Sequence, residues 1–266
     1  MTVGIPGQTG QTFHTDLTMT FKDLFSQHAT DYARFRPHYP PQLFAWLASI
    51  APARELAVDV GAGNGQAAIA LSQHFDRVIA IDPSAAQIAN APSFPTDNVT
   101  YRQGTAEGLG IDSGTADLIV AAQAFHWFKQ EPFFTEVRRV ARPSGCLALW
   151  CYGLSNITPE LDAAVYELYE TRLGPSWEPE RKLVDTGYRS VAFPFTETDP
   201  PHFEMRIAWT FEHLVGYLDT WSALKRHIQD KGNNPLAEML PRLERAWGAA
   251  TEREVTWPIS VRAFLL

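Results

Sequence analysis

From Pro40 to Tyr152, short apolar runs alternate with segments whose apolar positions recur every three or four residues. The runs Glu55–Val60, Arg77–Asp82, Val99–Arg102, Ala116–Ala121 and Cys146–Tyr152 have the length of buried strands. Between them the helical period predicts Pro40–Ala51, with Leu43, Phe44, Leu47 and Ile50 on one face, then Gln66–His74 and Glu131–Val140. Arg138, Arg139 and Arg142 favour the end of the last helix, where backbone carbonyls lack partners. Ser84 is placed to cap a further helix reciprocally with Gln87, and Pro92 stops that helix near Asn90. Upstream, Lys22–Ala33 has helical spacing, but the prolines of Tyr32–Pro40 keep it from running on. Strand and helix in strict alternation predict a parallel sheet with right-handed crossovers and helices on both faces.

After Gly153 the pattern changes. Thr158 and Pro159 open a helix running to about Leu173, and Glu178–Asp185 suits another. Arg189–Phe195 and Phe203–Phe211 alternate like strands, Phe211–Gln229 and Leu236–Trp247 have helical periods, and Glu254–Leu266 alternates again. The whole predicts an α/β fold, an open, mostly parallel, doubly wound sheet whose last strand returns after a helical insertion. That insertion is expected to cap the carboxyl ends of the central strands, where such sheets bind ligands.

Composition narrows the partners. The chain has 266 residues, 45% of them hydrophobic, and a formal charge of −8. That charge disfavours a phosphate backbone, so no nucleic acid is expected. No apolar stretch is long enough to span a membrane, and Met1–Thr20 has neither the basic start nor the apolar centre of a signal peptide. Cys146 and Cys151, the only cysteines, lie in an apolar run that suits buried free thiols, and no metal site is expected. A cytoplasmic location follows as an expectation.

The sharpest chemical signal is Val58-Asp-Val-Gly-Ala-Gly-Asn-Gly-Gln66. Gly61, Gly63 and Gly65 allow a tight turn to bring backbone close to a ligand. Asp82, 21 residues after Gly61 at the end of the next strand, is placed to accept from ribose hydroxyls. The spacing Gly-x-Gly-x-Gly differs from the Gly-x-Gly-x-x-Gly that cradles a pyrophosphate, and the lysine of a phosphate-binding loop is missing. A nucleoside without phosphates fits best. A nicotinamide oxidoreductase and a nucleoside-binding regulatory module without catalysis stay open as alternatives.

With Tyr32–Pro40, Val58–Gln66, Ile79–Ser84, Gly104–Glu107, Asp117–Phe128 and Arg142–Gly145 in this order, the chain resembles the class I S-adenosylmethionine-dependent methyltransferases. Within them it resembles the small-molecule branch that includes trans-aconitate methyltransferase-like enzymes. The resemblance implies one domain over 1–266, with a cofactor-binding core at 21–153. A helical substrate cap and late sheet elements would occupy 154–251, and the closing strand 252–266. It implies that Gly61, Gly63 and Gly65 pass the amino-acid part of S-adenosylmethionine, that Asp82 holds the ribose, and that Ala106 and Glu107 border the adenine. Asp59 would order the first turn, Tyr32 and Arg36 would close over the cofactor, and Gln123 and His126 would face its methyl end.

The acceptor expected is a small molecule, with a carboxylic acid as the leading class. A carboxylate is already charged and needs no general base, so His126 is expected to orient rather than deprotonate. Trp177, Trp209, Tyr217, Trp221, Trp247 and Trp257 are candidates for the acceptor pocket, with core packing expected for most of them. Lys225, Arg226 and His227 are expected on a solvated face. Oligomeric state is not legible.

Overall fold

The computed structural model describes residues 35–89, 91 and 97–266. The expected helix Lys22–Ala33, the arm before it and the site candidate Tyr32 lie outside the described residues. Five parallel strands come first: β1 (Leu56–Val60), β2 (Arg77–Asp82), β3 (Val99–Gln103), β4 (Ala116–Ala122) and β5 (Ala141–Tyr152). Helices α1 (Pro41–Ile50), α2 (Gln66–Leu71) and α3 (Ala85–Ala89) precede β1, β2 and β3, a loop joins β3 to β4, and α4 (Gln130–Val140) precedes β5. The strand order is β3-β2-β1-β4-β5, so the chain reverses direction across the sheet between β1 and β4. β1 is buried on both faces, as a strand with helices on either side must be.

The far edge differs from a mostly parallel sheet. β8 (Arg253–Leu265) lies antiparallel beside β5, and β6 (Thr196–Thr198) and β7 (Phe203–Trp209) both pair antiparallel with β8. The sheet is therefore mixed, because one reversed strand carries all three antiparallel pairings. The strand expected at Arg189–Phe195 does not form; the three-residue β6 begins just beyond it. Val191, Phe193 and Phe195 instead pack as an irregular segment against the α4 side of the sheet, where Phe193 meets Phe264 at 4.5 Å and Phe134 at 5.4 Å.

Between β5 and β6 lie α5 (Pro159–Tyr166), a π-helical turn (Glu167–Arg172), a short 3-10 turn (Gly174–Ser176) and α6 (Arg181–Asp185). Between β7 and β8 lie α7 (Phe211–Asp219), α8 (Ser222–Lys231) and α9 (Pro235–Trp247). The single helix expected over Phe211–Gln229 is broken at Thr220, whose hydroxyl donates to the Tyr217 carbonyl at 2.6 Å and closes the first segment. Ser84 caps α3 through its hydroxyl, which accepts from the Gln87 amide at 3.2 Å. The reciprocal arm is replaced, because the Ser84 amide donates to Asp82.

Both faces of the sheet are packed. On one, α1 and α2 cover Ala57, Val78 and Leu118, and a run of aromatic residues ties the late helices to β8, with Trp209 on Trp257 at 4.7 Å. On the other, α4 covers Val58, Ile119 and Leu149. Trp150, Trp257 and Phe133 are completely buried, and burying side chains of this size contributes about 2–3 kcal/mol each. Cys146 and Cys151 are free and buried, as expected.

Candidate functional site

A cavity of about 740 Å³ opens where all five parallel strands end. Its wall takes in Gly61–Asn64 after β1, Asp82–Ser84 at the end of β2, Gly104–Glu107 after β3, Gln123, Ala124 and His126–Lys129 after β4, and Tyr152–Leu154 at the end of β5. This is the carboxyl edge of the sheet, at the reversal between β1 and β4, where open α/β sheets hold ligands. Its size lies in the roughly 300–1,000 Å³ range of small-molecule sites.

The turn after β1 is held by its neighbour strand. The amides of Gly61 and Ala62 both donate to the Ile81 carbonyl, at 2.8 and 3.0 Å. Gly65 has a left-handed backbone (φ +88°), and a Cβ there would lie 2.3 Å from the Tyr101 hydroxyl, so only glycine fits. Gly65 does not line the cavity; it lets α2 start close against β3. A Cβ on Gly63 would meet nothing within 4 Å, because that side faces the open cavity.

Asp82 is 8% exposed at the cavity edge. Its Oδ2 accepts from the Gly63 amide and its Oδ1 from the Ser84 amide, both at 2.8 Å. Each carboxylate oxygen has capacity for a second donor, so a diol could be held without dismantling the turn. Asp59 sits one layer beneath, fully buried and off the cavity wall, and neither oxygen has a hydrogen-bond partner among the described residues. Burial drives its pKa up to about 7; the Ala68 backbone amide, which stands outside hydrogen-bond geometry, opposes this in part, and the Asp82 charge adds to it.

Ala106 and Glu107 border the cavity, and one Glu107 oxygen accepts from the Lys129 amide at 3.0 Å, which joins the β3 and β4 loops. Gln123 is left-handed (φ +53°). Its side chain is clamped to β5, donating to the Tyr152 carbonyl at 3.1 Å and accepting from the Tyr152 amide at 2.9 Å. Gln123 thus lines the site with its amide already engaged. Arg36 lies in the wall with its guanidinium 5.2 Å from the Tyr217 ring centre and Nη1 donating to the Tyr152 hydroxyl at 3.4 Å.

His126 is buried at the cavity wall, tilted on Trp127 with ring centres 4.8 Å apart. Its Nδ1 is 3.1 Å from the Tyr188 hydroxyl. Burial, with the Arg181 charge added, lowers its pKa to about 3, so the ring is neutral at physiological pH and a weak base.

Trp177, Tyr217 and Trp221 line the cavity, while Trp209, Trp247 and Trp257 are core. Arg181 completes the wall, stacked 5.1 Å from the Trp177 ring centre. The expectation of a solvated face at 225–227 is overturned for Arg226 and His227, while Lys225 stays partly solvated. Lys225 pairs with Asp219 at 2.5 Å, Arg226 pairs with the buried Glu178, and His227 is buried between Ser176 and Asn233. The Arg226 contacts and the Ser176–His227 contact fasten α8 to the segment carrying Trp177, and the Lys225 pair joins α8 to the end of α7. Sequence reasoning missed Tyr152, Glu178, Arg181 and Tyr188. Tyr152 ends β5 and Tyr188 follows Gly187, but neither stands at a spacing that marks it, and Glu178 and Arg181 carry no local signal.

The residues fit a nucleoside-bearing methyl donor. The side of Gly63 that lacks a Cβ faces the open cavity, and the Asp82 carboxylate lies at the same end. No group of three or more His, Cys, Asp or Glu among the described residues could hold a metal ion.

Comparisons with known proteins agree in kind. A family model described as a methyltransferase domain matches residues 58–149. A Dictyostelium discoideum protein named as a methyltransferase is 37% identical over 231 residues, covering 85% of this chain and 87% of its own length. A Mycobacterium tuberculosis protein named as an uncharacterized methyltransferase is 36% identical over 198 residues, covering 73% and 74%. A solved structure from Anaeromyxobacter dehalogenans, described as a type II methyltransferase, superposes with a TM-score of 0.81 at 46% identity, over 87% of this chain and 98% of that one.

Proposed function

We propose that this chain, which belongs to the class I S-adenosylmethionine-dependent methyltransferases, methylates a small-molecule acceptor, with a small carboxylic acid as the leading class. The observation that carries the reading is the convergence of five strand ends on one cavity that also receives Trp177 from the segment before α6 and Tyr217 and Trp221 from the late helices. Those helices act as a cap, and the aromatic wall favours a flat or apolar body of small size over a polymer. The trans-aconitate-like assignment belongs to the same proposal and rests on the motif order alone.

When bound, S-adenosylmethionine supplies an electrophilic methyl carbon on a sulfonium. The protein's share is positioning and exclusion of water. Asp82 accepts from the ribose hydroxyls while holding the Gly63 and Ser84 amides, and Ala106 and Glu107 flank the adenine. Arg36 serves the carboxylate of the cofactor from above Tyr217. Arg181, held on Trp177, attracts an anionic acceptor toward the aromatic wall. A carboxylate arrives already deprotonated, so no residue has to take a proton from it, and the low basicity of His126 is no obstacle.

The test is incubation of the protein with a metabolite extract and methyl-labelled S-adenosylmethionine. Label should appear in a small molecule as an alkali-labile methyl ester. Label in an amine or ether would overturn the carboxylate assignment. Label that never leaves the donor would overturn catalysis and leave a binding module.

A further inference from the structure

Beneath the cavity wall, the segment after α6 makes an unusual turn. Gly187 and Tyr188 are both left-handed (φ +58° and +61°), a conformation residues with side chains rarely adopt. Gly187 is required there, since a Cβ would lie 2.5 Å from Ser260 Oγ. The Tyr188 backbone is fixed at both groups: its amide donates to the Leu183 carbonyl and its carbonyl accepts from Arg262 Nη1, each at 2.8 Å. Its ring is fully buried, edge-on to Phe125 at 5.1 Å. All of this aims one hydroxyl at Nδ1 of His126, 3.1 Å away.

The direction of that bond follows from the other claims on the hydroxyl. The Cys151 side chain is the other polar group acting on it. Cys151 Sγ directs its own proton to the Val184 carbonyl at 3.8 Å. Between the two acceptors left for the phenol proton, a thiol sulfur is weak and a neutral imidazole nitrogen is strong, so the proton goes to Nδ1. With Nδ1 accepting, the neutral ring carries its proton on Nε2. Nε2 has no protein partner among the described residues, and His126 lines the cavity.

We infer that Tyr188 is a positioning residue: its hydroxyl donates to Nδ1 of His126, fixes the Nε2–H tautomer, and makes His126 a hydrogen-bond donor to the acceptor rather than a base. The inference rests on the methyl-transfer reading for its functional half alone. A donor there holds an oxygen that arrives anionic, which deepens the carboxylate assignment. It also explains why a non-glycine residue occupies a left-handed turn far from any sequence motif.

The test uses the full chain with nitrogen-labelled histidine and compares wild type, Tyr188→Phe and Cys151→Ala by long-range nitrogen–proton NMR. Wild-type His126 should show a protonated Nε2 and an unprotonated, hydrogen-bonded Nδ1. In Tyr188→Phe the Nδ1 resonance should move downfield toward a free pyridine-type nitrogen, while in Cys151→Ala it should stay. Single-turnover transfer to the acceptor found by the labelled-methyl screen should fall roughly tenfold to a hundredfold in Tyr188→Phe, with S-adenosylhomocysteine affinity retained, and by no more than about twofold in Cys151→Ala. A proton on Nδ1 in wild type overturns the inference, as does an unmoved Nδ1 resonance or an unchanged rate in Tyr188→Phe. Failure of the screen would count against the proposed function, while the tautomer of His126 and its dependence on Tyr188 would still be decided by the NMR spectra.

Discussion

Two aspartates are fully buried at opposite ends of the central strands, and they are treated in opposite ways. At the amino edge, Asp117 Oδ2 accepts from the Glu55 and Leu56 amides at 2.8 Å, and Oδ1 lies 2.7 Å from Arg142 Nη1. At the carboxyl edge, Asp59 has no hydrogen-bond partner for either oxygen among the described residues, and its pKa is lifted to about 7. The first is a staple that ties β1 to β4 and to the start of β5. The second is a buried group left without a hydrogen bond beside the glycine turn at the cavity, where its burial costs stability. The sheet is therefore tied by a paired carboxylate at one edge and carries an unpaired buried carboxyl near the other.

The largest effect is expected at the staple. Asp117→Ala should cost about 3 kcal/mol in denaturant unfolding, because it leaves Arg142 and two amides without their carboxylate. The affinity of the folded fraction for S-adenosylhomocysteine should stay unchanged; a drop in that affinity would mean the two edges are not separable.

Next comes Gly65→Ala. The left-handed backbone and the Tyr101 ring together should cost about 1–3 kcal/mol, and here affinity should fall along with stability. Retained affinity in this variant would show that the turn tolerates displacement.

Asp59→Asn should behave differently again. Between the ordinary aspartate pKa and about 7, the folded chain binds a proton that the unfolded chain has released, so wild-type stability from this group falls as pH rises through that window. Relative to wild type, the variant should gain about 1–3 kcal/mol between pH 5 and pH 8. An equal difference at both pH values would mean Asp59 is paired.

His126 gives the opposite slope and the smallest kinetic signal. Its folded pKa of about 3 lies below the ordinary histidine value, so it contributes stability present above pH 6.5 and lost as pH falls toward 3. His126→Asn should flatten that acid-side loss. Single-turnover methyl transfer by the wild type should show no histidine limb between pH 6 and 8, and the appearance of one would restore a base role.

Much of the carboxyl edge was legible because its chemistry is written locally. A glycine turn after an apolar strand, and an aspartate at the end of the next strand, sit at spacings fixed by the fold, and Gly61, Gly63 and Asp82 are where that spacing puts them. The late half was less legible because its order comes from contacts distant in sequence. Arg189–Phe195 has the two-residue alternation of a strand, but Phe193 and Phe195 find their partners on Phe134 and Phe264 without a ladder. The same holds for Arg226, whose charge reads as solvated until folding brings Glu178 to it. Tyr188 is the extreme case, since its value lies in a backbone conformation and a neighbour 62 residues away.

The central claim, that the carboxyl edge holds S-adenosylmethionine through Asp82, is tested most directly by calorimetric titration of S-adenosylhomocysteine and NAD into wild type and Asp82→Ala, with circular dichroism to confirm the fold. The expected result is one S-adenosylhomocysteine site in the wild type and no NAD binding of comparable affinity. In the variant, affinity should fall by on the order of 1.5–3 kcal/mol for each charge-assisted bond lost. Equal S-adenosylhomocysteine affinity in a folded Asp82→Ala chain, or tighter binding of NAD by the wild type, would contradict it.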